Sequence, residues 1–377
     1  MVSITEVTTK AQQKLFVEFP TKMYKDVPQY IPGTFDDDMQ DWDRQKNPAF
    51  AYCDARCWLA YRDGEIVGRI GAILSRKANE KWGTKRLRFT QVDFIDDEEV
   101  SAALFAQVEN WARELGCDEV HGPLGFTDLD REGMLVEGFD RKSCWFTYYN
   151  YPYYPEHLAR LGYGKDVDWI EELITIPQDG PIPERWAKIS NFVMKRCHLH
   201  DYTARTRRDY GKVLQKVFAL LNVCYAPLYG TVPLSDDQVR RYAAKFIPLI
   251  NPKLTCFVLD EQEELVAFGV AAPSLANALK KHDGKYFPFG WIDLLKALSK
   301  NDTADLLLIA VRPDYQSKGL NAIVINKLLQ GSLSMGMKWA ETGPMLELND
   351  KVQAQWEDFP IEQHKRRRCF VKKLDAQ

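Results

Sequence analysis

Apolar positions along this chain follow two spacings, one typical of strands and one typical of helices. Leu306–Val311 is a continuous apolar run of the length that suits a buried strand. The polar loop Tyr315–Gly319 follows, and from Leu320 onward apolar residues return every three or four positions, as on one face of a helix. Asp305–Gln330 is therefore predicted to form a strand, a tight loop and a helix.

The remainder of the second half is predicted to complete a mixed sheet around this unit. Its predicted elements are a strand at His198–Thr206, helices at Tyr210–Cys224 and Ser235–Ile250, hairpin strands at Thr255–Leu259 and Leu265–Ala271, and a later strand at Met337–Thr342. Strands and helices thus follow one another in an order that favours an α/β (α+β) fold with helices beside the sheet.

The first half shows a similar order. An Asp-Gly pair at Asp63 lies between two apolar segments, which is a strong hairpin signal. A strand at Leu87–Phe94, an amphipathic helix at Glu98–Leu115 and a strand from Glu119 follow. The stretch Ile176–Pro183 is rich in Pro and Gly and favours a boundary. We therefore predict two domains, residues 1–178 and 184–377.

The loop before the second-half helix has the properties of an anion site. A helix N-terminus presents unpaired N–H groups and a partial positive charge, which together favour a phosphate. Gly319 lets the backbone approach such an anion, and Lys318 adds a positive charge. The corresponding place in the first half, Phe94–Glu99, has four acidic residues and no glycine, so the first domain is expected to lack this site.

Composition narrows the class of protein. The 377 residues carry a net charge of −3, which gives no electrostatic case for nucleic acid. No apolar run reaches membrane-spanning length and the start of the chain does not resemble a signal peptide, so we expect a cytoplasmic protein with reduced cysteines. Cys197, His198 and His200 lack a second ligand cluster, so no metal site is predicted.

With these residues in view, the loop resembles a known family. The loop is similar to the acyl-CoA loop of the GCN5-related N-acyltransferases (GNAT), usually Gln/Arg-x-x-Gly-x-Gly/Ala, with Asn321 standing at the last position. The resemblance implies that CoA binds at Val311, Arg312, Gln316, Ser317, Lys318, Gly319, Leu320 and Asn321.

A second stretch supports this resemblance. Asn349–Phe359 resembles the helix that follows the fifth strand in GNAT proteins, and the family pattern would bring Asn349 and Trp356 to the CoA site. Trp356 stands where many members have the Tyr that protonates the departing thiolate. An indole cannot act as that acid.

The whole chain further resembles a bacterial tandem group that includes ceramide synthase-like proteins. Matching stretches include Gly133–Asp140, Tyr149–Tyr154 and Phe287–Gly290. The resemblance implies two tandem GNAT-like domains, each a mixed twisted sheet flanked by helices, of which the second binds acyl-CoA.

The chemistry that the resemblance implies is attack of a primary amine on an acyl thioester. A backbone N–H near Val311 would meet the oxyanion. Glu341 is the first candidate general base and Glu347 the second. Glu132, Glu137 and Asp140 in the first half are candidates for holding the ammonium group of a small amine acceptor.

An insert at Leu275–Lys300 gathers aromatic residues flanked by Lys. Its Phe289 and Trp291 are candidates for contacting a long acyl chain, or for a peripheral contact with an anionic membrane surface. The alternative is a helix that packs its apolar face on the core.

Two other functions stay open on the sequence. The first is a catalytically inactive GNAT-fold binding protein, which Asn321 and Trp356 favour. The second is a tRNA-dependent aminoacyl transferase of the peptidoglycan-bridge type, which has the same two-domain layout. Binding of acyl-CoA separates the two, since the tRNA-dependent type does not need it.

Overall fold

In the computed structural model the chain is an α/β protein, described over residues 1–204 and 207–375. The strands are β1 Ser3–Glu6, β2 Cys53–Arg62, β3 Glu65–Ser75, β4 Arg86–Phe94, β5 Glu119–Gly122, β6 Met134–Glu137, β7 Gly164–Thr175, β8 His200–Asp201, β9 Thr255–Leu259, β10 Leu265–Pro273, β11 Thr303–Val311, β12 Trp339–Thr342, β13 Met345–Leu346 and β14 Ile361–Lys373.

The α-helices surround these strands. They are α1 Lys10–Met23, α2 Phe35–Asp41, α3 Arg76–Trp82, α4 Glu98–Glu114, α5 Tyr153–Arg160, α6 Pro181–Arg196, α7 Arg207–Tyr225, α8 Asp236–Phe246, α9 Ala276–Lys281, α10 Gly290–Ser299, α11 Leu320–Ser334 and α12 Asp350–Gln353. None of the helices in the described ranges is both long and apolar enough to cross a bilayer.

The chain divides into two compact units. The first contains Met1–Ile170, Ala276–Trp291 and the chain from His364 onward, and the second contains Glu171–Leu275 and Ile292–Gln363. Two later segments thus belong to the first unit, so neither unit is one continuous stretch of sequence. The predicted domain ranges 1–178 and 184–377 remain a prediction about sequence organisation.

The first unit is built on a sheet in which β2, β3 and β4 are antiparallel neighbours and β5 is parallel to β4. The C-terminal strand β14 pairs antiparallel with β5. Helix α4 covers this sheet because its buried residues, including Leu104 and Phe105, recur on one face and join the core around Phe89.

The second unit repeats that strand order. Strands β9, β10 and β11 are antiparallel neighbours, and β12 is parallel to β11. Helix α11 follows β11 and packs on the sheet, since a Cβ on Gly269 of β10 would lie 2.3 Å from Val324 Cγ1. The predicted fold class, with mixed sheets flanked by helices, is confirmed.

Two parts of the second half differ from the prediction. Helix α6 occupies Pro181–Arg196, a stretch that was assigned to the linker and the residues after it. Proline at the first position of a helix lacks only an N–H that would be unpaired in any case. The predicted strand from His198 to Thr206 is wrong at its start, because His198 has φ +54° and the strand begins at His200. Thr206 lies outside the described residues.

The predicted helix at Asn349–Phe359 is broken into two short turns. Helix α12 has four residues, and a 3₁₀ turn at Ala354–Trp356 follows it. The side chain of Gln353, the last residue of α12, reaches back to the residues before this helix. Its Nε2 donates to the carbonyls of Leu346 at 3.1 Å and Glu347 at 3.0 Å.

The first unit is expected to lose stability in acid through His121. The ring is 6% exposed, and burial lowers its pKa from 6.5 to about 4 although Asp166 opposes the shift. The unfolded chain therefore binds a proton near pH 6.5, where the folded ring does not, and folding becomes less favourable as the pH falls through this window. The difference between the two pKa values corresponds to a loss of about 3 kcal/mol in the free energy of unfolding.

Urea unfolding at pH 7 and pH 4 checks this expectation. The wild type should lose about 3 kcal/mol more than His121→Asn between the two pH values. His198→Asn is the matched control, since the His198 side chain is 73% exposed. Equal acid losses in wild type and His121→Asn would contradict the assignment.

Candidate functional site

The loop between β11 and α11 presents a group of unused backbone donors. Gly319 is the residue before the helix and has φ +86°, and Ser317 is also left-handed with φ +63°. Within the described part of the chain, these loop amides have no hydrogen-bond acceptor: Ser317, Gly319, Leu320 and Asn321. A row of free N–H groups at a helix N-terminus is the geometry that binds a phosphate.

Cationic side chains border these amides. Arg312 and Lys318 lie over the ring of Tyr315, with the Arg312 Cζ atom 4.7 Å and the Lys318 Nζ atom 4.5 Å from its centroid. Arg196, at the end of helix α6, donates from Nη2 to the Lys318 carbonyl at 3.1 Å. Arg312 is already paired with Asp314 at 2.7 Å, so Lys318 and Arg196 supply the excess positive charge.

Strand β11 has an open edge next to this loop. Its pairing with β12 stops at Leu306 opposite Thr342, whereas β11 itself continues to Val311. The Arg312 N–H donates to Val266 on β10 at 2.8 Å, so the alternating pattern turns the amides of Ile309 and Val311 away from β10, toward the open edge. An extended ligand could pair with these amides as an added strand would.

Two side chains from the end of helix α7 reach the same edge. Tyr225 donates its hydroxyl to the Ile309 carbonyl at 3.3 Å, and Cys224 Sγ lies 3.3 Å from the Val311 carbonyl. Burial raises the pKa of the Cys224 thiol to about 11, so the thiol keeps its proton at neutral pH. Both are proton donors beside the open edge. Neither was predicted from the sequence, because nothing local connects α7 with β11.

A β-bulge in β11 decides which side chains share a face with α7. Leu307 has no partner on β10, because Leu308 pairs with Val270 and Leu306 with Ala271. The extra residue reverses the alternation, so Asp305 lies on the face of β10 that bears Phe268. Helix α7 covers that face.

A chain of aromatic contacts connects α7 with that face of the sheet. Phe268 pairs with Phe257, whose ring lies 6.4 Å from that of Tyr210 on α7.

A group of carboxylates occupies that face. Asp305 is fully buried and lies directly opposite Glu341 on β12. Carboxylate oxygens of Glu341 and Glu171 lie within 4.8 Å of each other. Glu341 was predicted as a base, whereas Asp305 and Glu171 were not, since their place depends on the bulge and on strand register. Buried carboxylates beside an open edge are candidates for proton abstraction.

The other predicted residues of the second unit lie apart from these carboxylates. Glu347 and Asn349 lie after β13, where the Asn349 N–H donates to Leu346. Trp356 is 7% exposed and packs 6.4 Å from Phe359, whose ring stacks on Trp186 of α6. Trp356 is thus part of an aromatic core cluster.

The predicted acceptor residues lie in the first unit. Glu137 is exposed and lies 3.3 Å from Arg366, and Asp140 is exposed and pairs with Arg141 at 3.5 Å. Burial, with a contribution from Asp128, raises the pKa of Glu132 well above its usual value, which makes this carboxyl a poorer partner for an ammonium group.

The predicted acyl-chain residues also lie in the first unit and face solvent. Phe289 is 64% exposed and Trp291 is 47% exposed. Large aromatic residues with this exposure are available to contact an apolar ligand or surface. Their role remains a prediction.

The N-terminus of helix α4, the corresponding place in the first unit, is already capped by a side chain. Asp97 caps α4 by accepting from the Val100 N–H at 3.2 Å, and Arg62 pairs with that same carboxylate at 2.6 Å. An anion has no free cradle at this place.

Candidate metal ligands in the first unit are His121, Asp166 and Cys369, whose ligand atoms lie within 4.8 Å of one another. Arg86 donates to Asp166 at 3.0 Å and neutralises the carboxylate that a cation would need.

Comparison with known proteins bears on the fold. No family model matches the chain. The chain is 26% identical over 379 residues to Protein YghO of Escherichia coli, covering 97% of this chain and 94% of that protein. It is 25% identical over 382 residues to the bacterial ceramide synthase of Caulobacter vibrioides, covering 99% and 98% of the two chains.

Among solved structures, a tandem GNAT protein from the clavulanic acid biosynthesis pathway matches with a TM-score of 0.58. It is 11% identical, and the match covers all of both chains. A likeness of this kind concerns the fold, and it shows that the chain has a tandem GNAT fold, as predicted.

Proposed function

We propose that this protein is an N-acyltransferase that takes an acyl group from acyl-CoA and transfers it to a primary amine. The proposal depends on two features that lie next to each other in the second unit. The free amides around Gly319 suit a pyrophosphate, and the open edge of β11 that leads away from them suits an extended pantetheine chain.

The residues around the open edge support a direct transfer. With the pyrophosphate at Gly319 and the pantetheine along Val311, the thioester reaches Ile309, whose N–H would stabilise the oxyanion. Asp305 and Glu341 lie toward the end where β11 and β12 are paired. We assign them to remove the proton of the attacking amine, directly or through water.

The departing thiolate needs a proton donor. Trp356 cannot serve, since an indole is no acid in this range and this ring is packed against Phe359. We assign the role to Tyr225 or Cys224, both of which keep a proton-bearing group beside the edge of β11. The protein's own residues thus provide an acid and a base on the face that α7 covers.

The finer proposal concerns the two substrates. The full-length likeness to a bacterial ceramide synthase favours a long-chain donor and a sphingoid-base-like amine. The exposed aromatics Phe289 and Trp291 offer apolar surface of the kind such molecules need. Each enclosed CH₂ is worth about 0.8 kcal/mol, so eight further carbons would add roughly 6 kcal/mol if fully enclosed.

Release of free CoA thiol tests the proposal. The purified protein is incubated with acetyl-, octanoyl- or palmitoyl-CoA and a long-chain primary amine, and the amide is identified by mass spectrometry. We expect amine-dependent release that rises with chain length. Equal rates for all donors would refute the long-chain part alone.

Two further outcomes would refute transfer itself. Tight CoA binding without release would indicate an inactive binding protein. Transfer from aminoacyl-tRNA without CoA binding would indicate the peptidoglycan-bridge type of enzyme.

A further inference from the structure

The first unit contains a polar pocket that the proposed reaction does not use. It lies between helix α1, the segment Tyr30–Asp38 and the centres of β3 and β4, and it is partly open to solvent. Its charged lining residues are Asp38, Arg69, Asp93, Arg131 and Asp283.

Arg69 brings an incompletely bonded guanidinium to this pocket. It is 4% exposed, its Nε donates to Asp93 at 2.7 Å, and its Nη1 donates to the Phe16 carbonyl at 2.8 Å. Within the described residues its Nη2 has no acceptor. Arg69 lines the pocket, so its Nη2 is available there to a ligand or water oxygen.

Arg131 supplies a second guanidinium. One of its nitrogens, Nη2, pairs with Asp38, and its Cζ lies 5.2 Å from the ring centroid of Tyr148. The Nε and Nη1 groups have no acceptor among the described residues. Gly33 leaves room for this group, since a Cβ there would lie 2.7 Å from the guanidinium.

The pocket also has acceptors and aromatic walls. Asp93 has both oxygens engaged, by Arg69 and by the Tyr24 hydroxyl at 2.9 Å. Asp38 uses one oxygen for Arg131 and keeps the other for a donor. Burial raises the pKa of Tyr148 to about 12, so its hydroxyl stays neutral and can donate or accept.

The wall that bears Tyr148 is held rigidly. The fully buried Arg367 donates to the Thr147 hydroxyl at 3.0 Å and to the Tyr148 carbonyl. A wall fixed by a buried cation is typical of a preformed site, because its geometry does not depend on the ligand.

We infer that this pocket binds a zwitterionic small molecule of the amino-acid class. Its carboxylate would meet the free N–H groups of Arg69 and Arg131, and its ammonium group would meet Asp38. Each arginine already has an aspartate partner, so a ligand without net charge disturbs the balance of charge less than a simple anion would. The aromatic walls around Tyr30 and Tyr148 would take the side chain.

Isothermal titration with three related probes tests this inference without acyl-CoA. L-Leucine carries both charged groups, 3-methylbutylamine lacks the carboxylate, and 4-methylpentanoate lacks the amine. We expect L-leucine to bind the wild-type protein at least ten-fold tighter than either of the other probes. Equal binding of 4-methylpentanoate would show a plain anion site and overturn the zwitterion.

Two variants place the site. Arg131→Lys keeps the charge and removes the planar fork, and it should weaken L-leucine binding at least ten-fold. Tyr148→Phe keeps every charge in the pocket and guards against a loss due to misfolding, and a several-fold weakening is expected there as well. Absence of L-leucine binding to the wild type at 10 mM, or unchanged affinity in both variants, would show that the arginines have a purely structural role with water as their partner.

Discussion

Gly319→Glu is expected to weaken CoA binding to this protein by at least about 100-fold. A carboxylate at this position would lie beside the free loop amides, and a like charge about 5 Å from a phosphate costs about 3 kcal/mol at an effective dielectric constant of 20. The new side chain must also adopt φ +86° with its Cβ 3.2 Å from Val193 Cγ2, a strain of about 1 kcal/mol that lowers the stability of the fold and leaves CoA affinity unchanged. Titration calorimetry with CoA measures the loss.

The same helix offers the matched control. Gly336 follows the other end of α11 with φ +71°, and a Cβ there would have nothing within 4 Å. Gly336→Glu thus introduces the same charge and the same backbone strain far from the loop, and it should bind CoA as the wild type does. If Gly319→Glu also bound CoA normally, the loop would not be the CoA site.

The loop and its helix could be predicted because their signals are local. A glycine after a polar turn and apolar residues at helical spacing need no knowledge of distant contacts. The strand order of both units followed for the same reason, since each hairpin carries its own turn signal, such as Asp63-Gly64. Helix α6 was missed because the prolines at its start resemble a linker as much as a helix start.

The chemistry around the edge of β11 could not be predicted in the same way. Asp305 lies on the face covered by α7 because of one extra residue in β11. No local sequence pattern predicts such a bulge. Tyr225 and Cys224 reach β11 across more than 80 positions of sequence. The resemblance puts Trp356 where a catalytic acid is expected, but the structure places its ring in a core cluster with Phe359.

Asp305→Asn is expected to lower kcat for amine acylation by about 10²- to 10⁴-fold, the usual contribution of a general base. Asn has nearly the same shape, so CoA affinity should stay within two-fold of the wild type. A stopped-flow or steady-state thiol-release assay gives kcat, and calorimetry gives the affinity. Glu341→Gln should produce a loss of the same kind if the two carboxylates share the proton.

Glu172→Gln is the matched control for burial. Glu172 is 6% exposed, and its N–H donates to the Thr342 hydroxyl oxygen at 2.8 Å. Its neighbour Leu173 lies opposite Glu341, so the alternation along β7 puts Glu172 on the opposite face of the sheet from Glu341 and Asp305. Burial raises its pKa, so a neutral amide costs little there. The kcat of Glu172→Gln should remain within about three-fold of the wild-type value. A large loss of kcat in this variant would mean that any buried carboxylate near β12 is needed for folding.

The pH dependence separates a base from a structural residue. The attacking amine must be neutral, and a larger share of it is neutral in alkaline solution, where no protein base is needed. The deficit of Asp305→Asn relative to the wild type should therefore shrink by about ten-fold for each pH unit as the pH approaches the pKa of the amine. A deficit that stays constant with pH would show that Asp305 orders the sheet and does not accept the proton, and Glu341 would then have to act alone.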